Sequence, residues 1–265
     1  MWRRHGADGR GRPEAVETTE DALLGGRVIL RQPRVGYRAA TDPVLLAAAV
    51  PARAGERALD LGCGVGAAGL CLIARVPGVS VVGLEVQPAY ADLARTNGAA
   101  TGGGFEVMEG DLASPPPEVK AHPFDHVLMN PPFHPGDATA SPDAGRDRAH
   151  RETLDVAVWI AAGLRRLKPG GRLTVIHRTE RLGAILGALE GPAGALRVLP
   201  LAAREGRAAK RVIVQARKGA RGPAALLSPL VMHAGDRHVA DRDDFTEAAA
   251  AVLRDGAALD LDARA

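Results

Sequence analysis

Cysteine is nearly absent: Cys63 and Cys71 are the two in 265 residues, and they stand eight apart. That spacing matches neither a disulfide framework nor a zinc pattern, and such sparing use suits a reducing compartment. Long apolar runs are missing too, since none reaches the roughly 20 residues needed to span a bilayer. The opening Met1-Trp2-Arg3-Arg4-His5-Gly6 is basic but lacks the apolar core of a signal peptide. The expectation is a cytoplasmic protein with no membrane contact. No internal repeat is visible. His122 and His126 are four apart, but Pro123 and a strand pattern between them spoil a helical metal pair, so no metal is expected.

What is present is ordinary for a soluble chain: 46% hydrophobic and 25% charged residues, enough for one large α/β domain. The net charge of +3 hides an asymmetry. Residues 197–221 hold eight Lys/Arg and one acid, Glu205, whereas residues 236–265 hold eight acids and four arginines. A basic stretch of this kind suits a polyanion or, more simply, a solvated surface.

Residues 1–20 show no periodicity and read as a flexible tail, followed by a single domain over 21–265. Residues 26–33 read as a strand closed by Pro33. Asp42-Pro43 opens a helix, with Asp42 as N-cap and Pro43 at the first helical position. Strands then alternate with helices. Strands are expected at 57–61, 80–84, 105–108, 124–129 and 172–177. A helix over about 152–167 carries Leu154, Val158, Ala161 and Leu164 on one face. A late pair near 196–199 and 211–216 reads as an antiparallel hairpin at one edge. A short strand near 230–233 and a helix over 243–254 follow. The alternation predicts a mainly parallel, doubly wound sheet.

Two motifs carry chemistry. Asp60-Leu61-Gly62-Cys63-Gly64-Val65-Gly66 follows the first of the parallel strands. Gly62, Gly64 and Gly66 let the backbone pass close to a ligand, with helix amides offered beyond. A loose G-x-G-x-x-G at 64–69 alone would suggest a dinucleotide. The register from Asp60 is better, because an acid there repels a pyrophosphate and attracts a cationic amine such as that of S-adenosylmethionine. Glu85, at the next strand end, is placed to accept two ribose hydroxyls. Asp111, after the third strand, is placed to accept an adenine amino group. Singly, each acid would be a surface or capping carboxylate. Three at successive strand ends point to a cofactor site.

The second motif is Asn130-Pro131-Pro132-Phe133, which ends a buried strand. Aniline-like nitrogens such as adenine N6 are poor nucleophiles. The Asn130 side-chain oxygen and a Pro131 carbonyl aimed by the fixed proline backbone would hold the amino hydrogens, while Phe133 would stack on an unpaired or flipped base. His134 reads as a wall residue or an RNA contact rather than a base.

These motifs resemble the class I (Rossmann-like) amino-group methyltransferases. The wider pattern is Leu23-Leu24-Gly25-Gly26-Arg27, Gln32-Pro33, Gly36-Tyr37-Arg38, Asp42-Pro43-Val44-Leu45-Leu46, Arg148-Ala149-His150 and Lys168-Pro169-Gly170-Gly171. It is similar to the bacterial tRNA adenine-N6 methyltransferase family that modifies a valine tRNA beside its anticodon. The resemblance covers about residues 20–255. It implies that the segment around Tyr37 and Asp42 lies over the cofactor. Phe133 stands where many relatives have Tyr. Similar motifs occur in guanine-N2 methyltransferases of ribosomal RNA and in release-factor glutamine methyltransferases. A non-catalytic RNA-binding module and a nicotinamide oxidoreductase are the readings from other classes. Arg146, Arg148, Arg207, Lys210 and Arg211 are the expected RNA phosphate contacts. Adenine or guanine, the RNA, and the oligomeric state stay open at this point.

Overall fold

The computed structural model describes residues 17–36, 38–132, 155–237 and 244–265. Its spine is a nine-stranded sheet. Strands are β3 (Arg57–Leu61), β4 (Ser80–Glu85), β5 (Phe105–Glu109), β6 (Phe124–Met129), β7 (Leu167–Arg178), β8 (Ala193–Ala202), β9 (Arg211–Lys218), β10 (Ala225–Leu226) and β11 (Leu230–Val231). Their order is β10-β8-β9-β7-β6-β3-β4-β5, with β11 also on β8. From β7 to β5 every pairing is parallel, whereas β9 runs antiparallel to both β7 and β8. The expected mainly parallel sheet with an antiparallel hairpin is what forms. The hairpin is not outermost, because β10 and β11 extend the sheet beyond it.

The central strands are apolar on both faces because helices cover both. Leu59, Val127, Leu128 and Met129 are fully buried. One face carries α1 (Thr41–Ala49), α2 (Ala67–Arg75) and α7 (Glu247–Leu253) with the hairpin β1 (Thr18–Leu23) and β2 (Val28–Pro33). The other face carries α4 (Pro117–Ala121), α5 (Val156–Arg166) and α6 (Leu182–Leu189). Helix α3 (Pro88–Ala100) packs beside β4, β5 and β2.

Three sequence expectations change. Thr18, Thr19 and Glu20 belong not to a tail but to β1, paired antiparallel with β2; the polar start of β1 leaves little apolar periodicity to read. The N-cap of α1 is Ala40, and Asp42 lies inside the first turn, where it accepts a hydrogen bond from Arg211 Nε at 3.0 Å. The buried residues of α5 are Val156, Trp159, Ile160, Ala162, Gly163 and Leu164. Of the expected face, Leu164 is buried, Val158 half-buried and Ala161 exposed, and Leu154 lies outside the described residues; Trp159 and Gly163 were not counted as core.

Gly163 explains how closely α5 lies on the sheet. A β-carbon there would stand 2.7 Å from Met129 Cε and 3.1 Å from both Leu173 Cδ1 and Val127 Cγ1. Gly163→Ala should therefore destabilise the fold by about 1–3 kcal/mol, overpacking outweighing the gain in helix propensity. Urea unfolding read by circular dichroism checks this; an unchanged or raised midpoint would refute the close approach.

Candidate active site at the carboxyl edge of the sheet

Strands β3, β4, β6 and β7 all end at one edge, and each delivers a polar residue there. β3 runs into the glycine turn. Gly62 N and Cys63 N both donate to Leu84 O, at 2.8 and 3.1 Å, and Gly66 N donates to Cys63 O at 2.8 Å. Gly62, Gly64 and Gly66 have φ of +73°, +56° and +89°, a region where a side chain is strained. Space adds a different reason at each. A β-carbon on Gly62 would meet the Trp159 ring at 2.5 Å, and one on Gly66 would meet Phe105 Cε1 at 2.7 Å. Nothing lies within 4 Å of the position for Gly64. The turn is thus closed behind by two aromatic rings and open at its middle glycine.

Two carboxylates brace this turn from beneath. Asp60 is 2% exposed, and its Oδ2 accepts the Gly69 amide of α2 at 2.9 Å. Glu85 is 5% exposed; Oε2 accepts the Gly64 amide at 2.9 Å and Oε1 the Gln87 amide at 2.8 Å. Burial pushes the Asp60 carboxyl up to about 7, the Gly69 amide opposes this, and the neighbouring Glu85 charge adds to it. The same burial, with the charges of Asp60 and Glu85, pushes the Cys63 thiol well up, so it is inert as a nucleophile. Asp60 faces the interior and serves the turn. Glu85 accepts one of these amides on each of its oxygens and so holds the turn at Gly64.

Gly110 N donates to Glu85 O at 2.9 Å, which sets Asp111 beside that strand end. Asp111 Oδ1 accepts Ala113 N at 2.8 Å, making it a partly exposed turn cap as well as a site candidate. Leu61 pairs with Met129, so Gly62 and Asn130 emerge side by side. Asn130 is half-buried and Pro131 buried. Phe133, His134, Tyr37, Arg146 and Arg148 lie outside the described residues.

Sequence reasoning missed the residues that tie these parts together. Gln32, 1% exposed, pairs its amide with both backbone groups of Ala39: Oε1 accepts Ala39 N at 2.7 Å and Nε2 donates to Ala39 O at 3.1 Å. Asn97, 3% exposed, donates from Nδ2 to Arg31 O and Val65 O and accepts Arg31 N on Oδ1. Asp42 and Arg211, expected in separate roles, form one ion pair.

The basic stretch is divided by strand direction. β9 starts at the carboxyl edge with Arg211 and ends at the opposite edge, where Arg217 Nε donates to Gly170 O and Lys218 Nζ to Leu167 O. Arg197 pairs with Asp262 and Arg204 with Asp244. Arg207 and Lys210 are exposed in the β8–β9 loop.

Residues 39–189 match the family model described as Methyltransferase small domain. Among curated relatives, the tRNA1(Val) (adenine(37)-N6)-methyltransferase of Porphyromonas gingivalis is 35% identical over 169 residues, 59% of this chain and 64% of that protein. Its counterpart in Yersinia pestis is 32% identical over 138 residues, 49% of this chain and 55% of that one. A release factor glutamine methyltransferase of Deinococcus radiodurans is 35% identical over 125 residues, 44% of each chain. The match thus spans between 44% and 64% of these relatives' own lengths. Among solved structures, a predicted O-methyltransferase from Agrobacterium tumefaciens shares 29% identity with a TM-score of 0.66, covering 83% of this chain and 98% of that one. A structure described as a class I S-adenosylmethionine-dependent methyltransferase from Listeria monocytogenes shares the fold at 19% identity, TM-score 0.50, over 72% of this chain and 62% of that one.

The Asp60 carboxyl makes a stability prediction. Its folded value lies above that of an unfolded aspartate, so its contribution is present at low pH and is lost as pH rises from about 4 through about 7. Asp60→Asn keeps an acceptor for Gly69 N and removes this loss. Thermal melts from pH 5 to pH 8 should fall more steeply for the parent than for the variant. Parallel curves would refute the buried-acid assignment.

Proposed function

The chain belongs to the methyltransferase small domain family, and from that premise we propose that it transfers a methyl group from S-adenosylmethionine to an exocyclic amino group of a nucleobase in RNA, with adenine N6 in a tRNA anticodon loop as the favoured target. The observation that carries this reading is the register of β3 against β6, which sets the glycine turn and Asn130 next to each other at one edge. A cofactor turn and an amino-group holder have to be neighbours for methyl transfer.

The residues present fit the cofactor. Gly64 opens onto free space, and the Glu85 carboxylate, an acceptor on both oxygens, stands beside it at the strand end. Glu85 and the amides of the Gly62–Gly66 turn would hold it, with Asp111 toward the adenine end and the Tyr37–Asp42 segment above. Asp60 acts by fixing the turn through Gly69. When bound, the cofactor supplies a methyl on a positively charged sulfur, a strong electrophile. The protein then needs no covalent nucleophile and no strong base. Its task is orientation: the Asn130 side-chain oxygen and the Pro131 carbonyl accept the two amino hydrogens and draw the lone pair out of the ring. Phe133 supplies the stacking face. Flipped or unpaired bases suit such a pocket, and a tRNA loop offers them. Arg207, Lys210 and Arg211, with Arg146 and Arg148, meet the phosphates. The reading implies a cytoplasmic protein. No described helix is long and apolar enough to cross a membrane.

The similarity to a glutamine methyltransferase favours one second reading, transfer to a protein glutamine amide. The two are separated by incubating the protein with labelled S-adenosylmethionine and either unmodified tRNA or a release factor. Label recovered as N6-methyladenosine supports the first reading, N2-methylguanosine moves it to another base, and label in protein overturns it. Asn130→Ala should lower kcat by at least about 100-fold, the scale of losing one pre-organised acceptor, while calorimetric affinity for S-adenosylhomocysteine stays within about threefold. Equal loss of both would make Asn130 structural.

A further inference from the structure

The end of β7 presents a group of cations that neither motif requires. Met129 of β6 pairs with Val175 of β7, so β6 gives way to Asn130-Pro131 where the adjacent β7 runs on to His177 and Arg178. Beyond them comes Arg181, in the 3-10 turn Thr179–Arg181. From the neighbouring strand, Arg178 is paired with Arg211. Lys210 adjoins them through its carbonyl, which accepts Thr179 N at 3.3 Å. Four cations therefore converge at one strand end, beside the proposed base holder.

His177 reports that convergence from within. It is 2% exposed, and its Nδ1 accepts the Arg178 amide at 2.8 Å. Its imidazole is pushed down to about 4, first by burial and then by the charges of Arg181, Arg211 and Arg178. It stays neutral and adds no further charge to the cluster.

Acids offset only part of the group. Arg178 pairs with Glu180 at 3.1 Å and Arg211 with Asp42 at 3.0 Å. Arg181 and Lys210 are exposed and form no ion pair among the described residues. Arg181 and Lys210 therefore leave exposed positive charge at this strand end, beside two arginines already paired with acids, and such a field favours an anion. Elsewhere in the basic stretch, Arg197 and Arg204 pair with acids and Arg217 and Lys218 lie at the opposite edge, while Arg207 stays exposed in the β8–β9 loop.

We propose that Arg181 and Lys210, backed by Arg178 and Arg211, form a cradle for an RNA phosphate next to the nucleotide held at Asn130-Pro131. The inference rests on the RNA reading and sharpens it, because it assigns backbone recognition to the β7 end rather than to the whole basic stretch. Position follows from it: a phosphate one strand away from Pro131 belongs to the target nucleotide or its immediate neighbour. Contacts of this kind fix register without reading sequence.

The test uses the full chain and an unmodified tRNA transcript. Binding is followed by fluorescence anisotropy across potassium chloride concentrations, beside steady-state kinetics and calorimetry with S-adenosylhomocysteine. Arg181→Glu and Lys210→Glu are compared with Arg165→Glu, an exposed charge at the far end of α5. Each cradle variant should reduce the salt slope by about 0.7 and raise KM for RNA about tenfold or more, leaving kcat within about threefold and S-adenosylhomocysteine affinity unchanged. Arg165→Glu should match the parent. If a glutamate variant does not fold, the glutamine variants carry the same measurement. A parent protein that shows no salt-dependent RNA binding sinks the RNA reading itself. A parent that binds with a salt slope untouched by both cradle substitutions overturns the cradle alone.

Discussion

Two buried carboxylates hold the working edge of this protein in shape. Asp60 and Glu85 sit at adjacent strand ends, nearly sealed from water, and each takes an amide from the glycine segment. A backbone turn with three left-handed residues has few internal hydrogen bonds of its own, so its conformation has to be fixed from outside. Asp60 fixes where α2 begins, and Glu85 fixes the middle of the turn. The arrangement is costly because both acids are desolvated and repel each other. That cost is offset in part by the backbone amides the two carboxylates accept.

Much of this was legible in the sequence. The strand–glycine–helix pattern and the alternation after residue 57 fixed the parallel sheet, because central strands buried on both faces must be continuously apolar. The acids at strand ends were legible because a carboxylate that interrupts such a run has to be held by something. Legibility failed where packing rather than pattern decides. Trp159 against Gly62 and Phe105 against Gly66, Gly69, Gly83 and Gly98 are contacts between distant segments. No periodicity marks which ring enters which glycine slot. Strand β2 was legible through its alternating Val28 and Leu30, but its partner β1 was hidden for a different reason: Thr18, Thr19, Glu20 and Asp21 carry no apolar alternation.

Strand direction also edits a composition argument. A basic stretch read along the chain suggests one positive surface. In the fold, β9 carries its charges from one edge of the sheet to the other, so neighbours in sequence face different surroundings. Arg217 and Lys218 satisfy backbone carbonyls far from the glycine turn, while Lys210 and Arg211 stand on the same edge as Asn130. Charge in sequence becomes a field only after topology has sorted it.

Asn97 has one more consequence. Its amide joins a strand of the hairpin, a helix and the glycine turn by three hydrogen bonds. Peeling β2 away would break two of those bonds and leave the one to the Val65 carbonyl standing alone. The side chain that holds the turn at Val65 thus takes its orientation from the hairpin, and a peripheral strand and the central turn share one anchor.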